Sequence, residues 1–488
     1  MKNNQQPQRD EYYALLPLRE LADRAFSRAA GAPLIGGNEV RLLKDAKENY
    51  PAWLNAIRAA KKHVHFENYI IYDDETGREF ADALIDKAHE GVPVRLIYDW
   101  LGCLGKSSRQ FWNTLRSGGV EVRCYNPLRL DRPLGWLSRD HRKMLAVDGE
   151  IAFITGLCVG RKWLGDPERK IEPWRDTGVD VRGSAVVDVE QAFARMWSLM
   201  GEPLPVAELL KATLSAGEVS LRIIASEPST AGMLRLDQLI AALAHKRLWL
   251  TDAYYGGTAV YVEALRAAAR DGVDVRLLLP NTTDIPLLQL LSRAGYRPLL
   301  EAGVRVFEWN GTMLHAKTAV ADGNWARVGS TNLNIASWIG NCELDVVVED
   351  ESFAAEMEAM YERDLAHATE IVLDRRRRPH AAVKTRRKHI VAGGSTSRAM
   401  AGVVRIGHTL GTPLTKRRVL GPIEARLTAV IGVMMCALSV LFALFPKALA
   451  YPLVALGAWG GLTLLYRGYQ LAKQRKMDKH DTGTSELH

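Results

Sequence analysis

A stretch of ten residues at positions 140–149 returns with the same pattern at 314–323. Both copies read H-x-K-x-x-x-x-D, at His141, Lys143 and Asp148 in the first and at His315, Lys317 and Asp322 in the second. Successive side chains of a strand point to opposite faces, so the histidine and the lysine of each copy share one face of a predicted strand. Two copies 174 positions apart indicate a chain built from two similar domains.

The segments around the two copies repeat as well. Residues 90–96 read much like 271–277, and short β-rich runs alternate with amphipathic helices in the same order in both halves. This alternation predicts an α/β fold class. The repeated unit of about 165 residues is too long for a solenoid repeat. We therefore expect two domains, 37–205 and 206–370, that pair as a pseudo-two-fold dimer with central sheets.

The repeated residue types suit phosphodiester chemistry. A neutral imidazole can attack phosphorus, and a fixed ammonium can stabilise the charge on the phosphoryl oxygens. A second histidine can protonate the leaving oxygen and later activate an acceptor. A lone histidine in an apolar strand is more often structural, so the prediction depends on the duplication. Asp148-Gly149 and Asp322-Gly323 each lie between two apolar runs and predict hairpin turns, which favours a supporting role for both aspartates over contact with phosphate.

With its flanking residues, the chain resembles the phospholipase D superfamily and, within it, the bacterial cardiolipin synthases, over about residues 37–370. Besides the two motifs, the shared residues are Trp174, Arg175, Asp176, Gly183, the Gly-Ser-Thr-Asn run at 329–332 and the Asn-Cys-Glu run at 341–343. The resemblance implies catalytic roles for His141, Lys143, Asp148, His315, Lys317 and Asp322. It also implies that Ser330, Asn332 and Glu343 bind substrate.

By the same resemblance, the protein is expected to transfer a phosphatidyl group to phosphatidylglycerol, making cardiolipin through a phosphohistidine, with no metal and no other cofactor. The resemblance makes His141 the nucleophile and His315 the general acid and base. The residues themselves favour the second motif, because Asn332 offers an amide where the first half has Cys158, and a thiol is a weak donor. A mixed apolar and basic loop at 127–137 is either a surface loop or a wall of a lipid entrance.

Two other functions stay open at this point. A hydrolase or nuclease of the same superfamily would use the same motifs, and a catalytically inactive lipid-binding scaffold would need neither histidine. The intact motifs argue against the scaffold. The formal charge of +8 argues little for nucleic acid, because residues 375–418 hold 13 Lys or Arg and no acid, which leaves −5 for the remainder. We expect phospholipid and membrane partners, no nucleic acid and no obligate protein partner.

The last part of the chain predicts a membrane anchor. Residues 371–420 form a basic linker, and the uncharged runs 427–445 and 448–465 approach the roughly 20 residues that a spanning helix needs. We therefore expect a two-helix membrane hairpin at 421–470, with a buried helix pair as the alternative. Cations before and after the hairpin place both ends on the cytoplasmic side of a bacterial inner membrane.

The remaining predictions concern the two ends of the chain and the cysteines. Residues 1–36 form an N-terminal extension without the apolar core of a cleavable signal, and 471–488 form a polar tail. The five cysteines have neither zinc-ligand nor disulfide-framework spacing, which favours a reducing compartment.

Overall fold

A computed structural model describes residues 22–128, 137–208, 214–373 and 416–419, and short runs and single positions between 433 and 465. Most of the predicted linker, most of the predicted hairpin at 421–470 and the tail at 471–488 lie outside the described residues. So does the greater part of the loop at 127–137. Within the part of the chain that is described, no helix has the length and apolar character needed to cross a membrane.

Sixteen described strands form one mixed sheet. The first half contributes β1 (Ile35–Lys44), β2 (Val64–Asn68), β3 (Val94–Asp99), β4 (Glu121–Tyr125), β5 (Lys143–Val147), β6 (Ile151–Thr155) and β7 (Thr177–Gly183). The rest of the chain contributes β8 (Val219–Ser226), β9 (Arg247–Thr251), β10 (Asp274–Pro280), β11 (Arg305–Trp309), β12 (Thr318–Ala321), β13 (Trp325–Gly329), β14 (Glu343–Glu349), β15 (Ala368–Val372) and β16 (Lys416–Val419).

The strand order repeats between the halves. From the centre outwards the first half runs β1-β7-β6-β5-β2-β3-β4, and the second runs β8-β14-β13-β12-β9-β10-β11 before β15 and β16. The antiparallel pair of β1 and β8 joins the two series, so the predicted central sheets are continuous. The α/β class predicted from the sequence is confirmed.

Helices connect and cover these strands. They span residues 22–30 and Asp45–Ala59, Glu75–His89, Trp100–Cys103, Arg109–Ser117, Arg161–Leu164, Val186–Ser198, Gly232–Leu243, Ala259–Arg270, Pro286–Ala294, Tyr296–Ala302 and Glu351–Leu365, with a 3₁₀ turn at Val206–Glu208 and a π turn at Ala336–Gly340. Several begin at a side chain that caps a free backbone N–H, as Asp74 does for Gly77 at 3.0 Å. The helix Asp45–Ala59 begins six residues before Pro51, and Ala46, Asn49 and Tyr50 of its first turns lie on the buried face.

The halves share a core as well as a sheet. The sheet folds back on itself, so that Ile154 and Val179 of the first half belong to the same buried cluster as Val328 and Val346 of the second. Helices Val186–Ser198 and Glu351–Leu365 contribute to this shared cluster. Each half also has an outer core, with Trp53 in the first and Trp338 in the second.

The topology places the histidine of each motif at the edge formed by the carboxyl ends of the parallel strands in its half. Strands β2, β3 and β4 are parallel, as are β9, β10 and β11, so their carboxyl ends form one edge in each half. Strand β5 starts opposite the end of β2, with Lys143 paired to Asn68, and β12 starts opposite Thr251 at the end of β9. Ligands of open α/β sheets bind outside the carboxyl ends of the strands, which is where both motif histidines lie.

Candidate active site

The aspartate of each motif occupies a tight turn between two antiparallel strands. Asp148 and Gly149 have φ of 58° and 68°, and Asp322 and Gly323 have φ of 50° and 76°. Two consecutive residues with positive φ form the hairpin turn whose twist matches that of the flanking strands. The hairpin turns predicted from the sequence are therefore present, between β5 and β6 and between β12 and β13.

Both aspartates bind backbone and lie far from the histidines along the strand. The Asp148 carboxylate accepts hydrogen bonds from the backbone N–H groups of Lys61, Lys62 and His63, at 2.8, 2.7 and 2.9 Å. The Asp322 carboxylate accepts from residues 245, 246 and 247 at 2.8, 2.7 and 2.9 Å. The five residues of β5 span about 17 Å between the two ends. The structure thus does not bring either aspartate to the histidines.

The first motif histidine is held by the second half of the chain. The backbone N–H of His141 donates to the carbonyl oxygen of Cys342 at 2.9 Å, and that of Cys342 donates to Arg139 at 2.8 Å. The Nδ1 atom of His141 lies 2.8 Å from Oε2 of Glu343, the first residue of β14. Main chain and side chain of His141 are therefore both fixed across the junction between the halves.

The second motif histidine is held in the same manner by the first half. The backbone N–H of His315 donates to the carbonyl oxygen of Arg175 at 2.7 Å, and that of Arg175 donates to Met313 at 2.8 Å. The Nδ1 atom of His315 lies 2.7 Å from Oδ2 of Asp176. Asp176 directly precedes β7 and Glu343 begins β14, so the two carboxylates occupy matching places in the repeat.

The carboxylates determine which ring nitrogen carries the proton. Burial acts to raise the pKa of Asp176, but His315 and Lys317 outweigh it, so the pKa is lowered. The pKa of Glu343 is lowered too, because His141, Lys143 and Ser330 outweigh its burial. Ionised carboxylates only accept hydrogen bonds, so each Nδ1 must donate. The Lys317 ammonium also lies 3.0 Å from Nδ1 of His315, but it can donate to the His315 carbonyl oxygen instead. Each Nε2 then keeps its lone pair for a reacting atom.

Both imidazoles favour the neutral form. Burial lowers the pKa of His315 to about 4, with Lys317 and Lys143 acting in the same direction against Asp176. Burial also lowers the pKa of His141, where Lys143 and Lys317 again oppose the carboxylate of Glu343. Each histidine therefore lies within electrostatic reach of the lysine of the other motif. The structure brings the four His and Lys side chains into one site.

The two lysines make this site a place for an anion. Each ammonium donates to the carbonyl oxygen of the histidine two residues before it, Lys143 to His141 and Lys317 to His315. Both lysines are buried, and burial together with the neighbouring Lys143 lowers the pKa of Lys317. Two ammonium groups in one buried site are stabilised by a bound phosphate, since an opposite charge favours the charged form of each.

Aromatic rings surround the histidines. The ring of Tyr69 lies 4.8 Å from that of His141, and Tyr254 lies 5.8 Å from His315. Trp163 and Trp174 lie 5.6 and 5.7 Å from His315. These rings exclude water from the site and strengthen the electrostatic interactions inside it.

Two predicted substrate-binding residues are engaged in supporting His141. The Ser330 hydroxyl donates to Oε2 of Glu343 at 2.6 Å and accepts from the N–H of Leu344 at 2.9 Å. In the first half, Gly156 takes the place of Ser330, and a Cβ there would lie 2.2 Å from a carboxylate oxygen of Asp176. The indole of Trp163 supplies the missing hydrogen bond by donating to Asp176 at 3.0 Å.

The third predicted substrate-binding residue and its counterpart are both buried beside the site. The side-chain oxygen of Asn332 has no hydrogen-bond partner among the described residues. Burial raises the pKa of the Cys158 thiol, while Lys143 and Lys317 act in the opposite direction. Cys158 thus lies near both motif lysines, as its match to Asn332 in the repeat requires.

The sequence prediction assigned no role to Asp176 or Arg142. Aligning residues 174–176 with residues 341–343 matches Asp176 to Glu343, so the sequence did indicate that the two carboxylates have equivalent places in the repeat. Arg142 is fully buried and donates to the carbonyl oxygens of Glu343, Ala192 and Ser226 at 3.2, 3.2 and 3.0 Å. Through these hydrogen bonds, the Arg142 guanidinium links the first motif to the start of β14, which carries Glu343.

Among the described residues, His63, His65 and Glu190 form one group of donor types that could hold a metal. Nε2 of His63 lies 2.8 Å from Glu190, and His65 contacts the other carboxylate oxygen. The group lies at the start of β2, the end that faces Asp148 rather than the histidines. At the matching place in the second half, Arg247 and Glu358 form an ion pair of 2.7 Å. We therefore interpret the group as a structural contact between strand and helix.

Known proteins resemble this chain in sequence. The family model described as "Cardiolipin synthase, PLD-like domain" matches residues 53–165 and 237–365. The cardiolipin synthase of Alkalihalophilus pseudofirmus is 33% identical over 359 residues, covering 72% of this chain and 71% of that protein. Cardiolipin synthase A of Pseudomonas fluorescens is 34% identical over 367 residues, covering 73% of this chain and 74% of that protein.

A solved structure shares the fold. The phosphatidylserine synthase of Haemophilus influenzae superposes with a TM-score of 0.58 at 14% identity, covering 79% of this chain and 97% of that one. At 14% identity, this similarity shows a shared fold and does not by itself indicate function. The sequence matches, which span both motifs, show that the chain belongs to the family of cardiolipin synthases with phospholipase D-like domains.

Proposed function

We propose that the protein is a phosphatidyltransferase that makes cardiolipin from phosphatidylglycerol and a second phospholipid through a phosphohistidine. One observation carries the proposal: the carboxylate of each half holds the histidine of the other, Glu343 on His141 and Asp176 on His315. Two neutral imidazoles then present Nε2 to one buried, cationic site. The names of the relatives support cardiolipin as the product.

In the first step, Nε2 of His141 forms a bond to the phosphorus of the donor lipid, and the bond from phosphorus to the leaving oxygen breaks. His315 gives its proton to that oxygen. Burial lowers the pKa of His315 to about 4, so His315 has to gain this proton when the substrate binds. The negative charge of the bound phosphodiester favours that protonation.

In the second step, a hydroxyl of phosphatidylglycerol attacks the same phosphorus. His315 takes the hydroxyl proton, and the bond between phosphorus and His141 breaks, which returns both histidines to their starting states. Lys143 and Lys317 stabilise the phosphoryl oxygens in both steps, because they are the buried ammonium groups of the site. Asn332 supplies a buried amide beside them, and Ser330 and Glu343 position His141.

Asp148 and Asp322 have supporting roles in this scheme. Each holds its hairpin to the strand beside it and does not touch phosphate. We also propose the division predicted from the sequence, with a first domain at 37–205 and a second at 206–370 related by a pseudo-two-fold axis. The repeated strand order around the β1–β8 pair supports this division.

The substrates lie in a membrane, and residues 421–470 anchor the protein there with both ends in the cytoplasm. The two uncharged runs and the cations around them support this placement. The basic linker at 371–420 is attracted to anionic lipid. Phospholipids are the partners of the site, and neither a metal nor a nucleic acid is required.

The purified full-length protein tests this function in vesicles of phosphatidylglycerol, with and without phosphatidylethanolamine. Cardiolipin should form, and the dependence on phosphatidylethanolamine identifies the donor. His141→Ala and His315→Ala should each abolish the product, whereas EDTA should not. His245→Ala, which changes an exposed histidine at the opposite end of β9, serves as the matched control.

Other products would assign the protein differently. Phosphatidic acid without cardiolipin would mean that water is the acceptor and that the protein is a hydrolase. Cleavage of DNA with no lipid product would make it a nuclease. Lipid binding without turnover by the unaltered protein would favour the scaffold.

A further inference from the structure

Large apolar side chains are exposed beside the active site in both halves. Leu104 follows β3 in the first half, and Ile285, Leu287 and Leu291 follow β10, the matching strand of the second. They are between 43% and 62% exposed. We call these four residues the apolar rim. Single exposed leucines are common on soluble proteins, but a group at one edge marks an interaction surface.

In the first half, two successive contacts connect the region of Leu104 to His141. Leu104 follows the helix Trp100–Cys103, whose Cys103 thiol lies 3.7 Å from the carbonyl oxygen of Tyr69. The ring of Tyr69 lies 4.8 Å from that of His141. Leu104 is therefore two contacts away from the first motif histidine.

The second half repeats this arrangement. The hydroxyl of Tyr254 donates to the carboxylate of Asp284 at 2.8 Å, and Asp284 directly precedes Ile285. The ring of Tyr254 lies 5.8 Å from that of His315. The helix Pro286–Ala294 then carries Leu287 and Leu291 one turn apart on its exposed side. Both halves thus place an apolar segment next to the tyrosine that contacts their histidine.

Cations lie in the same region. The ammonium groups of Lys106 and Lys162 are 5.8 and 5.5 Å from the ring centre of Tyr72, and Lys162 is also 5.4 Å from that of Trp174. Within the described residues neither lysine forms an ion pair, whereas the nearby Asp73 is paired with Arg78. Ammonium groups beside exposed leucines suit an anionic lipid surface.

We propose that the apolar rim inserts into the surface of an anionic phospholipid bilayer, with Lys106 and Lys162 at the headgroups. The proposal rests on the proposed function, because a lipid substrate has to leave the bilayer at the mouth of the site. Docking through the rim would let a phosphodiester reach His141 and His315 without the whole lipid crossing water. This contact is separate from the predicted anchor at 421–470, which could hold the protein at the membrane in any orientation.

A fluorescence experiment tests the contact without using activity. The environment-sensitive dye NBD is attached to Leu287→Cys in full-length protein carrying Cys124→Ser and Cys436→Ser. The other cysteines are buried. The matched control is Leu243→Cys, because Leu243 is also exposed but precedes the opposite end of β9. On reconstitution into phosphatidylglycerol vesicles, the dye at 287 should shift to the blue and the dye at 243 should not. An aqueous spectrum at 287 would overturn the proposal.

A kinetic comparison separates docking from chemistry. Leu287→Ser combined with Leu291→Ser should lower the rate on phosphatidylglycerol vesicles by roughly fivefold or more, since two apolar contacts with lipid are lost. The rate on short-chain phosphatidylglycerol dissolved as monomers should stay within about twofold of the unaltered protein. Leu243→Ser should change neither rate. An equal loss on both substrates would contradict the docking role. A blue shift at 287 in a protein that turns over no lipid would retain the docking surface and reject the proposed function.

Discussion

At the scale of single residues, the carboxylates that hold the histidines are the sharpest feature of the site. Asp176 and Glu343 each accept from Nδ1 and leave Nε2 unprotonated. Asp176→Asn or Glu343→Gln can present an amide N–H to the ring and favour the other tautomer. By analogy with the loss of a triad aspartate, we expect the turnover rate to fall by roughly 10²- to 10⁴-fold in each variant.

The measurement is the rate of cardiolipin formation as a function of pH, together with thermal unfolding. A positioning role predicts a changed pH profile with little change in KM. Asp166→Asn is the matched control, because Asp166 pairs with Arg161 and Arg169 at the protein surface. If the amide variants kept the rate and pH profile of the unaltered protein, the carboxylates would not set the tautomer.

The two histidines can be told apart by trapping. Both titrate in one site, so a pH profile reports on the pair and not on either residue. His315→Ala lacks the general acid but keeps the nucleophile assigned by resemblance. With a donor lipid whose leaving group needs no protonation, we expect a phosphatidyl adduct on His141, detected by mass spectrometry. An adduct on His315 in the His141→Ala protein would reverse the assignment and leave the rest of the mechanism intact.

At the scale of elements, the hairpins depend on the aspartates of the motifs. Asp148→Ala removes an acceptor for three backbone N–H groups and places alanine at a φ of 58°. We expect the free energy of unfolding to fall by about 2–4 kcal/mol, and likewise for Asp322→Ala. Asp148→Asn should lose less, because asparagine tolerates positive φ.

Thermal unfolding and the rate of the folded fraction should be measured together for these variants. A supporting role predicts lower stability and, in the protein that remains folded, a rate within about threefold of the unaltered enzyme. Unchanged stability with lost activity would instead mean that the aspartates act on the substrate.

The contact between β2 and the helix Val186–Ser198 should respond to acid. His63 and His65 outweigh burial and lower the pKa of Glu190 to about 2, from a usual value of 4.5. The stability this gives is present above about pH 4.5 and is lost as the pH falls towards 2. Burial also lowers the pKa of His65, so below about pH 6.5 this imidazole takes up a proton when the protein unfolds. Like the effect of Glu190, this lowers the stability of the fold as the pH falls.

Glu190→Gln should therefore destabilise the protein by roughly 3 kcal/mol at pH 7 and by progressively less towards pH 3. Denaturant unfolding at several pH values measures this difference. Glu358→Gln, which breaks the matching pair with Arg247, is the control. A difference from the unaltered protein that does not depend on pH would show that Glu190 stabilises by packing rather than by its charge.

At the scale of the whole molecule, the buried clusters found among the described residues all lie before the predicted anchor. They extend from Ala30 to Ile371. Deleting residues 421–488 should therefore leave the catalytic body folded and move the protein from the membrane fraction to one that a carbonate wash releases. The full-length protein is the control. Carbonate-resistant retention of the shortened protein would show that the anchor lies elsewhere.

The structural features that could be predicted from the sequence depend on neighbouring residues or on the internal repeat. The turn at Asp148-Gly149 and the α/β alternation each depend on neighbouring residues and are present. The strand predicted to carry both His141 and Lys143 begins only at Lys143, so His141 lies just before it. The partners of the histidines could not be found in this way, because Asp176 lies 139 positions before His315 and Glu343 lies 202 positions after His141. Only the folding of the sheet onto itself brings them together.

The exchange of carboxylates between the halves also has a consequence for synthesis. Domains generally fold as they leave the ribosome, the N-terminal part first. His141 emerges 202 residues before Glu343, so the first half can fold while its imidazole still has no partner to set its proton. The growing polypeptide therefore carries an incomplete reaction centre until β14, which begins at Glu343, has formed. A newly made chain therefore lacks the complete site at least until residue 343 of 488 has been made.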